Sequence, residues 1–177
     1  KGPAIPRIQF DYTLSESQLG TLLSLNALGY LIACSFTAYL TKIWGIKWVT
    51  VAAFAAMAVS GILIFFSHYY PMFSTSYFLM YIGNGMLEIG LAILSARIFV
   101  KNTGMMMNMT HGFYGLSSTV APLLATGLMK VTIAGDTLDW RGMYMVVLLL
   151  SMIPLAIAMF STFPAHDTSH EDRIPFK

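Results

Sequence analysis

The stretch QLGTLLSLNALGYLIACSFTAYL, residues 18–40, decides the fold of this protein. It carries no charged residue, and about 20 apolar residues in an α-helix are enough to cross the hydrocarbon core of a bilayer. Ser15 stands just before it, with Gln18 three positions later, and this pair fits a capping box at a helix start. We therefore predict a membrane-spanning helix that begins near Ser15.

The composition of the whole chain favours the same environment. Hydrophobic residues make up 56% of the chain and charged residues 10%, whereas about a quarter of the residues in an ordinary soluble domain are charged. A water-exposed surface cannot be built from so few charges, so the predicted partner is the lipid bilayer. The net charge is only +2 and the basic residues are scattered, so no nucleic-acid partner is predicted.

Further apolar stretches follow the first one, separated by short polar loops. We predict an all-α, polytopic transmembrane helix bundle of about five spans over residues 18–163. The predicted spans are 18–40, 48–67, 75–100, 107–129 and 143–163. A polar non-cytoplasmic segment, residues 1–17, is expected before the bundle, and a polar cytoplasmic tail, residues 164–177, after it. The chain starts with Lys1 and not with Met, so we expect that a first helix is missing.

Positive charges in the short loops predict the orientation of the bundle. The loops after the first and third predicted spans are basic, and the loop after the second contains neither Lys nor Arg. The basic residues are Lys42, Lys47, Arg97 and Lys101. Because cytoplasmic loops carry an excess of Lys and Arg, these two loops are predicted to be cytoplasmic, although the loop after the fourth span also holds two basic residues beside two aspartates.

Glu88 is the only carboxylate in the middle of a predicted span. A charge in that position costs at least ~2.5 kcal/mol on insertion scales. Tyr77, Tyr81, Asn84 and Glu88 follow one another at intervals of four, three and four residues, which places them in one stripe of a helix. The functional interpretation makes Glu88 a proton carrier or a hydrogen-bond acceptor for a polar substrate. The alternative is a structural glutamic acid that is neutral or paired inside the bundle.

The fourth predicted span holds a second group of polar and aromatic residues. Asn108 and His111 offer hydrogen-bond donors and acceptors, and Phe113 and Tyr114 offer aromatic surface. A sugar needs both kinds of contact, for its hydroxyl groups and for its C–H surface. Asn108, His111 and Tyr114 are therefore candidate binding residues, together with Asn84. For His111, a hydrogen bond to a neighbouring helix without ligand contact is an equal alternative.

The first predicted span has its own polar face. Asn26 and Tyr30 lie four positions apart and are further candidates for binding substrate or protons, or else for hydrogen bonds between helices. Cys34 is the only cysteine, and the histidines other than His111 lie in a loop and in the tail. No metal site, cofactor or nucleophile is predicted from these residues, and the protein is not expected to be an enzyme.

The loop AYLTKIWGIKW, residues 38–48, resembles the signature between the second and third helices of the major facilitator superfamily. That signature consists of a glycine, an acidic residue, a basic residue, a second glycine and a basic pair. Lys42, Gly45 and Lys47 match it, whereas the first glycine, the acidic residue and one basic residue are replaced.

Two longer segments, GNGMLEIG at 83–90 and NMTHGFYGLSSTVAPLL at 108–124, resemble the fourth and fifth helices of the fucose and glucose proton-symporter branch of that superfamily. The resemblance implies that Glu88 serves proton coupling. It also implies that Asn108 is the asparagine at the start of the fifth helix. His111 and Tyr114 stand where that branch has a glutamine and an asparagine, so the identity of the sugar stays open.

The resemblance covers nearly the whole chain and implies that its spans are helices two to six of twelve, within the amino-terminal half of a transporter. It implies alternating-access transport of a small polar solute, with a sugar as the first choice and protons as a further partner. The missing carboxy-terminal half is then also an expected partner. Two other functions stay open, namely transport of a non-sugar cargo and a non-transporting membrane scaffold or fragment.

Overall fold

The computed structural model describes residues 2–99, 101–133 and 136–163. These residues form a short 3-10 turn, Gly2–Ala4, and six α-helices. The helices are α1 (Ile5–Asp11), α2 (Glu16–Phe65), α3 (Tyr70–Ile98), α4 (Thr103–Leu128), α5 (Asp139–Leu149) and α6 (Met152–Phe160). Two strands of two residues each, β1 (Thr132–Ile133) and β2 (Asp136–Thr137), pair antiparallel between α4 and α5. The predicted all-α class is confirmed, and the predicted tail at 164–177 lies outside the described residues.

Helix α2 begins with the predicted capping box and is divided by one glycine. The Ser15 hydroxyl accepts from the Gln18 amide at 3.2 Å, and the Gln18 side chain accepts from the Ser15 amide at 2.9 Å. Gly45 has φ 78° and ψ 155° inside an otherwise helical stretch, a conformation that glycine adopts without a steric penalty. The expected loop around Lys42 is therefore mostly helical, and α2 consists of two rods that meet at Gly45.

Three stretches of the described residues are long and apolar enough to cross a membrane, namely Glu16–Phe65, Tyr70–Ile98 and Asp139–Phe160. At 1.5 Å per residue, the 50 residues of α2 could extend roughly 75 Å, more than twice the thickness of a hydrocarbon core. Helix α4 is also long, but polar residues and glycines dilute its apolar character. The boundaries of the five spans therefore stay a prediction.

Glycines bring α3 against both rods of α2. A Cβ atom at Gly85 would lie 2.7 Å from the Tyr30 carbonyl oxygen, and one at Gly83 would lie 3.1 Å from the Ala53 carbonyl oxygen. Lipid provides no hydrophobic drive between helices, so close backbone approach and van der Waals packing hold membrane helices together. These contacts fix α3 along α2.

Aromatic residues fill the end of the bundle at which α1 lies. The ring centroid of Phe73 lies 5.2 Å from that of Tyr12 and 5.1 Å from that of Tyr77, in stacked arrangements. Trp140 meets Phe73 edge-on at 5.4 Å. Phe73 and Trp140 are fully buried, so this cluster is the main hydrophobic core of the described residues.

Polar contacts join α1 to α5 above the aromatic cluster. The Asp11 carboxylate accepts from Trp140 Nε1 at 2.7 Å and from Arg141 Nη1 at 3.2 Å. Arg7 forms a second ion pair with Asp139 at 2.8 Å. Exposed ion pairs add little stability on their own, so these contacts mainly position α1 over the end of the bundle.

Candidate functional site

A cavity of about 400 Å³ lies between α3 and α4. It brings together four of the predicted site residues, Asn84 and Glu88 from α3 and His111 and Tyr114 from α4. Its other lining residues are Leu87, Ile89, Leu91, Ala92, Ser95, Met107 and Thr110. The wall is thus mostly apolar with a small number of polar groups, which is typical of a small-molecule site.

Helix α3 supplies the acidic side of the cavity. Asn84, Glu88 and Ser95 lie four and seven residues apart, so they share one face of the helix, and Glu88 is exposed to solvent in the described structure. Glu88 is the only charged group among the lining residues, apart from the titratable imidazole of His111. The cavity can therefore offer hydrogen bonds, one imidazole and one carboxyl group, but its lining contains no Lys or Arg to bind an anion.

Helix α4 supplies the opposite side through Met107, Thr110, His111 and Tyr114. These positions are i, i+3, i+4 and i+7, which is one continuous face of a helix. Thr110 was not among the predicted site residues, although this spacing was a signal that could have found it. Its hydroxyl donates to the Met106 carbonyl oxygen at 3.0 Å.

Three predicted site residues do not line this cavity. Asn108 is exposed on α4, but it lies about 100° around the helix from Met107. Asn26 is fully buried, and neither its amide oxygen nor its amide nitrogen has a hydrogen-bond partner among the described residues. Tyr30 lies behind the cavity, on the α2 side of α3, where it packs against Gly85.

Tyr30 packs against α3 close to the acidic residue of the cavity, because Gly85 and Glu88 are only three residues apart. The Cys34 thiol also contacts the Gly85 carbonyl oxygen at 3.6 Å. Glu88 therefore lines the cavity on the α4 side, and the neighbouring Gly85 meets Tyr30 on the α2 side.

The residues of the predicted loop motif lie at the other end of the bundle from α1. Lys42 is exposed on the first rod of α2, and Gly45 marks the break between the two rods. The Lys47 ammonium group donates to the Ser161 carbonyl oxygen at 3.0 Å, at the carboxyl end of α6. A cation at that position interacts favourably with the helix dipole.

A larger hollow of about 690 Å³ lies at the α1 end, away from the predicted site residues. It is lined by Pro6, Arg7, Phe10, Asp11, Thr137 and Asp139. Its carboxylates already accept hydrogen bonds from Arg7, Trp140 and Arg141. In the part of the chain that the structure describes, no group of three or more His, Cys, Asp or Glu residues could hold a metal ion.

Residues 2–176 match the family model described as the Major Facilitator Superfamily. The chain belongs to the Major Facilitator Superfamily. The resemblance of the helical segments and the loop to this superfamily is therefore confirmed, and so is the prediction of an integral membrane protein. The assignment to the sugar and proton branch stays a prediction.

A curated relative is the "Protein TsgA homolog" of Buchnera aphidicola subsp. Baizongia pistaciae (strain Bp). The two proteins are 23% identical over 164 residues, which cover 92% of this chain and 41% of that relative. The chain thus spans about two fifths of the length of this relative. No solved structure matches the chain.

Proposed function

We propose that the full-length protein is a membrane transporter that moves a small polar solute, a sugar in the first place, by alternating access. The observation that carries this proposal is the cavity between α3 and α4, where Asn84, Glu88, His111 and Tyr114 meet. Its volume of about 400 Å³ falls within the range of ligand pockets, roughly 300 to 1,000 Å³. Transporters of this kind bind their substrates near the middle of the membrane, where helices leave a polar opening.

The chemistry of the lining favours a neutral polyol. Asn84 can both donate and accept hydrogen bonds, Glu88 can accept them, and His111 can do either according to its tautomer. The Tyr114 ring, 70% exposed, offers an aromatic surface against which the C–H face of a sugar ring can pack. No Lys or Arg is among the lining residues, which argues against an anionic cargo.

Proton coupling is proposed through Glu88. A bare carboxylate in the middle of a membrane is costly, whereas the protonated acid is neutral. A carrier that changes conformation with Glu88 protonated therefore avoids most of that cost. The carboxyl group would take up a proton on one side of the membrane and release it on the other.

The test is uptake of labelled glucose and fucose into proteoliposomes that contain the full-length protein, with and without an inward proton gradient. We expect the gradient to drive uptake of one of these sugars above equilibrium. Glu88→Gln should lose this accumulation and keep sugar exchange, because the amide still forms hydrogen bonds but cannot release a proton. Glu16→Gln is the matched control, since Glu16 lies at the start of α2, outside the cavity.

The outcomes of this experiment distinguish the role of Glu88, the coupling to protons and the choice of a sugar as cargo. Uphill uptake that survives Glu88→Gln would contradict the role of Glu88. Uptake that never responds to the gradient would leave a facilitator of the same sugar. If neither sugar is taken up, the sugar assignment is wrong.

One observation favours a second candidate, a less polar cargo. Five lining residues are aliphatic or methionine, namely Leu87, Ile89, Leu91, Ala92 and Met107. Such a wall also suits an amphipathic compound with a single hydrogen-bonding end. Competition between labelled sugar and a panel of apolar amines or alcohols in the same vesicles distinguishes the two cargo classes.

A further inference from the structure

The cavity between α3 and α4 is elongated. Its α3 wall runs from Asn84 near the middle of the helix to Ser95 near its end. The rise of an α-helix over this stretch is about 16 Å, and a single sugar ring is shorter than that. A sugar bound at one end therefore leaves the other end open to a further part of the same solute.

The polar lining residues are concentrated at the end of the cavity near the middle of α3. Asn84 and Glu88 lie there on α3. Only the short connection 99–102 joins α3 to α4, so the two helices run in opposite directions and residues late in α3 face residues early in α4. His111 and Tyr114, which come later in α4 than the other lining residues, therefore face Asn84 and Glu88. These four residues form the polar end of the cavity.

The other end of the cavity, toward the connection between the helices, is apolar. Leu91 and Ala92 of α3 and Met107 of α4 form this apolar end. Leu91 is 40% exposed, so its surface is available to a bound group. The neighbouring Thr110 uses its hydroxyl proton in a hydrogen bond of 3.0 Å to the backbone of α4. Apart from the small side chain of Ser95, this end thus offers a solute apolar contacts.

We propose that the solute is a glycoside whose sugar binds at the polar end and whose short aliphatic substituent fills the apolar end. This inference deepens the proposed function and rests on the polar end as a sugar site. Hydroxyl groups placed against Leu91 and Met107 would lose hydrogen bonds to water without replacement, whereas an alkyl group buries this surface without that loss. Met107 is then a specificity-determining residue, since its unbranched thioether adapts to the shape of the substituent.

The test is equilibrium binding of labelled methyl and butyl glucosides, and of the corresponding fucosides, to the full-length protein in liposomes. Binding to protein-free liposomes is subtracted. Each buried methylene group strengthens binding by up to roughly fourfold, so we expect the butyl glycoside of one sugar to bind at least about tenfold more tightly than its methyl glycoside. The readout is the ratio of these two dissociation constants, which an inactive fraction of the protein does not change. A ratio near one would overturn the inference.

Two variants test whether the apolar end causes this ratio. Met107→Ser makes one wall polar, and Ala92→Leu fills the space from the opposite wall. Each should lower the ratio to less than about threefold. Met105→Ser is the matched control and should keep the ratio, because Met105 lies on α4, is 55% exposed and does not line the cavity. A tenfold ratio that survives both Met107→Ser and Ala92→Leu would place the alkyl group elsewhere and overturn the inference.

The binding ratio and the uptake assay can fail separately. A ratio near one in a protein that accumulates glucose or fucose would overturn the inference and leave the proposed sugar transport intact. A high ratio that Met107→Ser lowers, in a protein that takes up neither free sugar, would support the inference and contradict transport of the free sugars. Without binding of any of these glycosides the inference is wrong, and the uptake assay alone decides the proposed function.

Discussion

The two sides of α3 differ in how closely they approach their neighbours. Toward α2, a Cβ atom at Gly85 would lie only 2.7 Å from the Tyr30 carbonyl oxygen, and one at Gly83 would be tightly packed at 3.0 Å from Met57 Cγ. Toward α4, the same helix presents Asn84 and Glu88 to a cavity of about 400 Å³. At Gly112 of α4, in contrast, no described atom outside its own stretch of helix lies within 4 Å of the place where a Cβ atom would be.

One helix thus has a closely packed side and an open, partly polar side. A close-packed interface has few other arrangements, because interiors of proteins do not deform continuously. A cleft with polar groups needs water, a solute or another helix to satisfy them. The packed side of α3 therefore fixes Glu88 in place, while the open side leaves its carboxyl group accessible.

The largest expected contrast lies between two phenylalanines. Phe73 of α3 is fully buried and stacked between Tyr12 and Tyr77, whereas Phe113 of α4 is 64% exposed. Phe73→Ala should lower the free energy of unfolding by about 3 to 5 kcal/mol because it leaves a cavity in the core. Phe113→Ala should change it by less than about 0.5 kcal/mol. SDS titration of the protein in mixed micelles measures both values.

Equal losses in the free energy of unfolding for these two variants would contradict the expected difference. In that case Phe113 would be packed in the full-length protein, and its side of α4 would be covered by another helix. A small effect of Phe73→Ala would instead mean that the aromatic cluster can close over the missing ring.

The all-α class and the start of α2 could be predicted because apolar length and the capping box at Ser15 are local features. The polar stripe on α3 could also be predicted from the sequence. Residues at helical spacing, here Tyr77, Tyr81, Asn84 and Glu88, share one side of a helix whatever that helix packs against. The break at Gly45 is different. A glycine within a polar stretch fits a loop or a kink equally well, so the nearly continuous α2 could not be predicted from composition.

Glycine substitutions give the next largest contrast. Gly85→Ala places a methyl group 2.7 Å from the Tyr30 carbonyl oxygen, and such overpacking typically costs about 1 to 3 kcal/mol. Gly112→Ala has open space around it and should gain about 0.5 to 1 kcal/mol from the better helix propensity of alanine. The same SDS titration compares them, with opposite signs expected. Two gains would show that α2 and α3 can separate without loss.

The two asparagines show where spacing alone could not predict the site. Asn26 and Tyr30 share a side of α2, and that side meets α3 directly, so Asn26 is buried against it and not exposed to the cavity. Asn108 belongs to the right helix but to the wrong side of it. Which side of a helix is open depends on its neighbours, and helical periodicity does not contain that information.

The smallest expected effect concerns these asparagines within the same comparison. The amide of Asn26 is buried without a hydrogen-bond partner among the described residues, and an unsatisfied buried polar group costs about 1 to 3 kcal/mol. Asn26→Ala removes that penalty and loses some packing, so stability should stay level or rise by up to about 1 kcal/mol. Asn84→Ala in the cavity should leave stability unchanged and weaken sugar uptake. Micelle unfolding and vesicle uptake of both variants check this pair.

A stability loss of about 2 kcal/mol or more in Asn26→Ala would contradict this expectation. It would mean that an ordered water or another part of the full-length protein forms hydrogen bonds with the Asn26 amide in the membrane. The α2–α3 interface would then be less dry than its glycine contacts indicate.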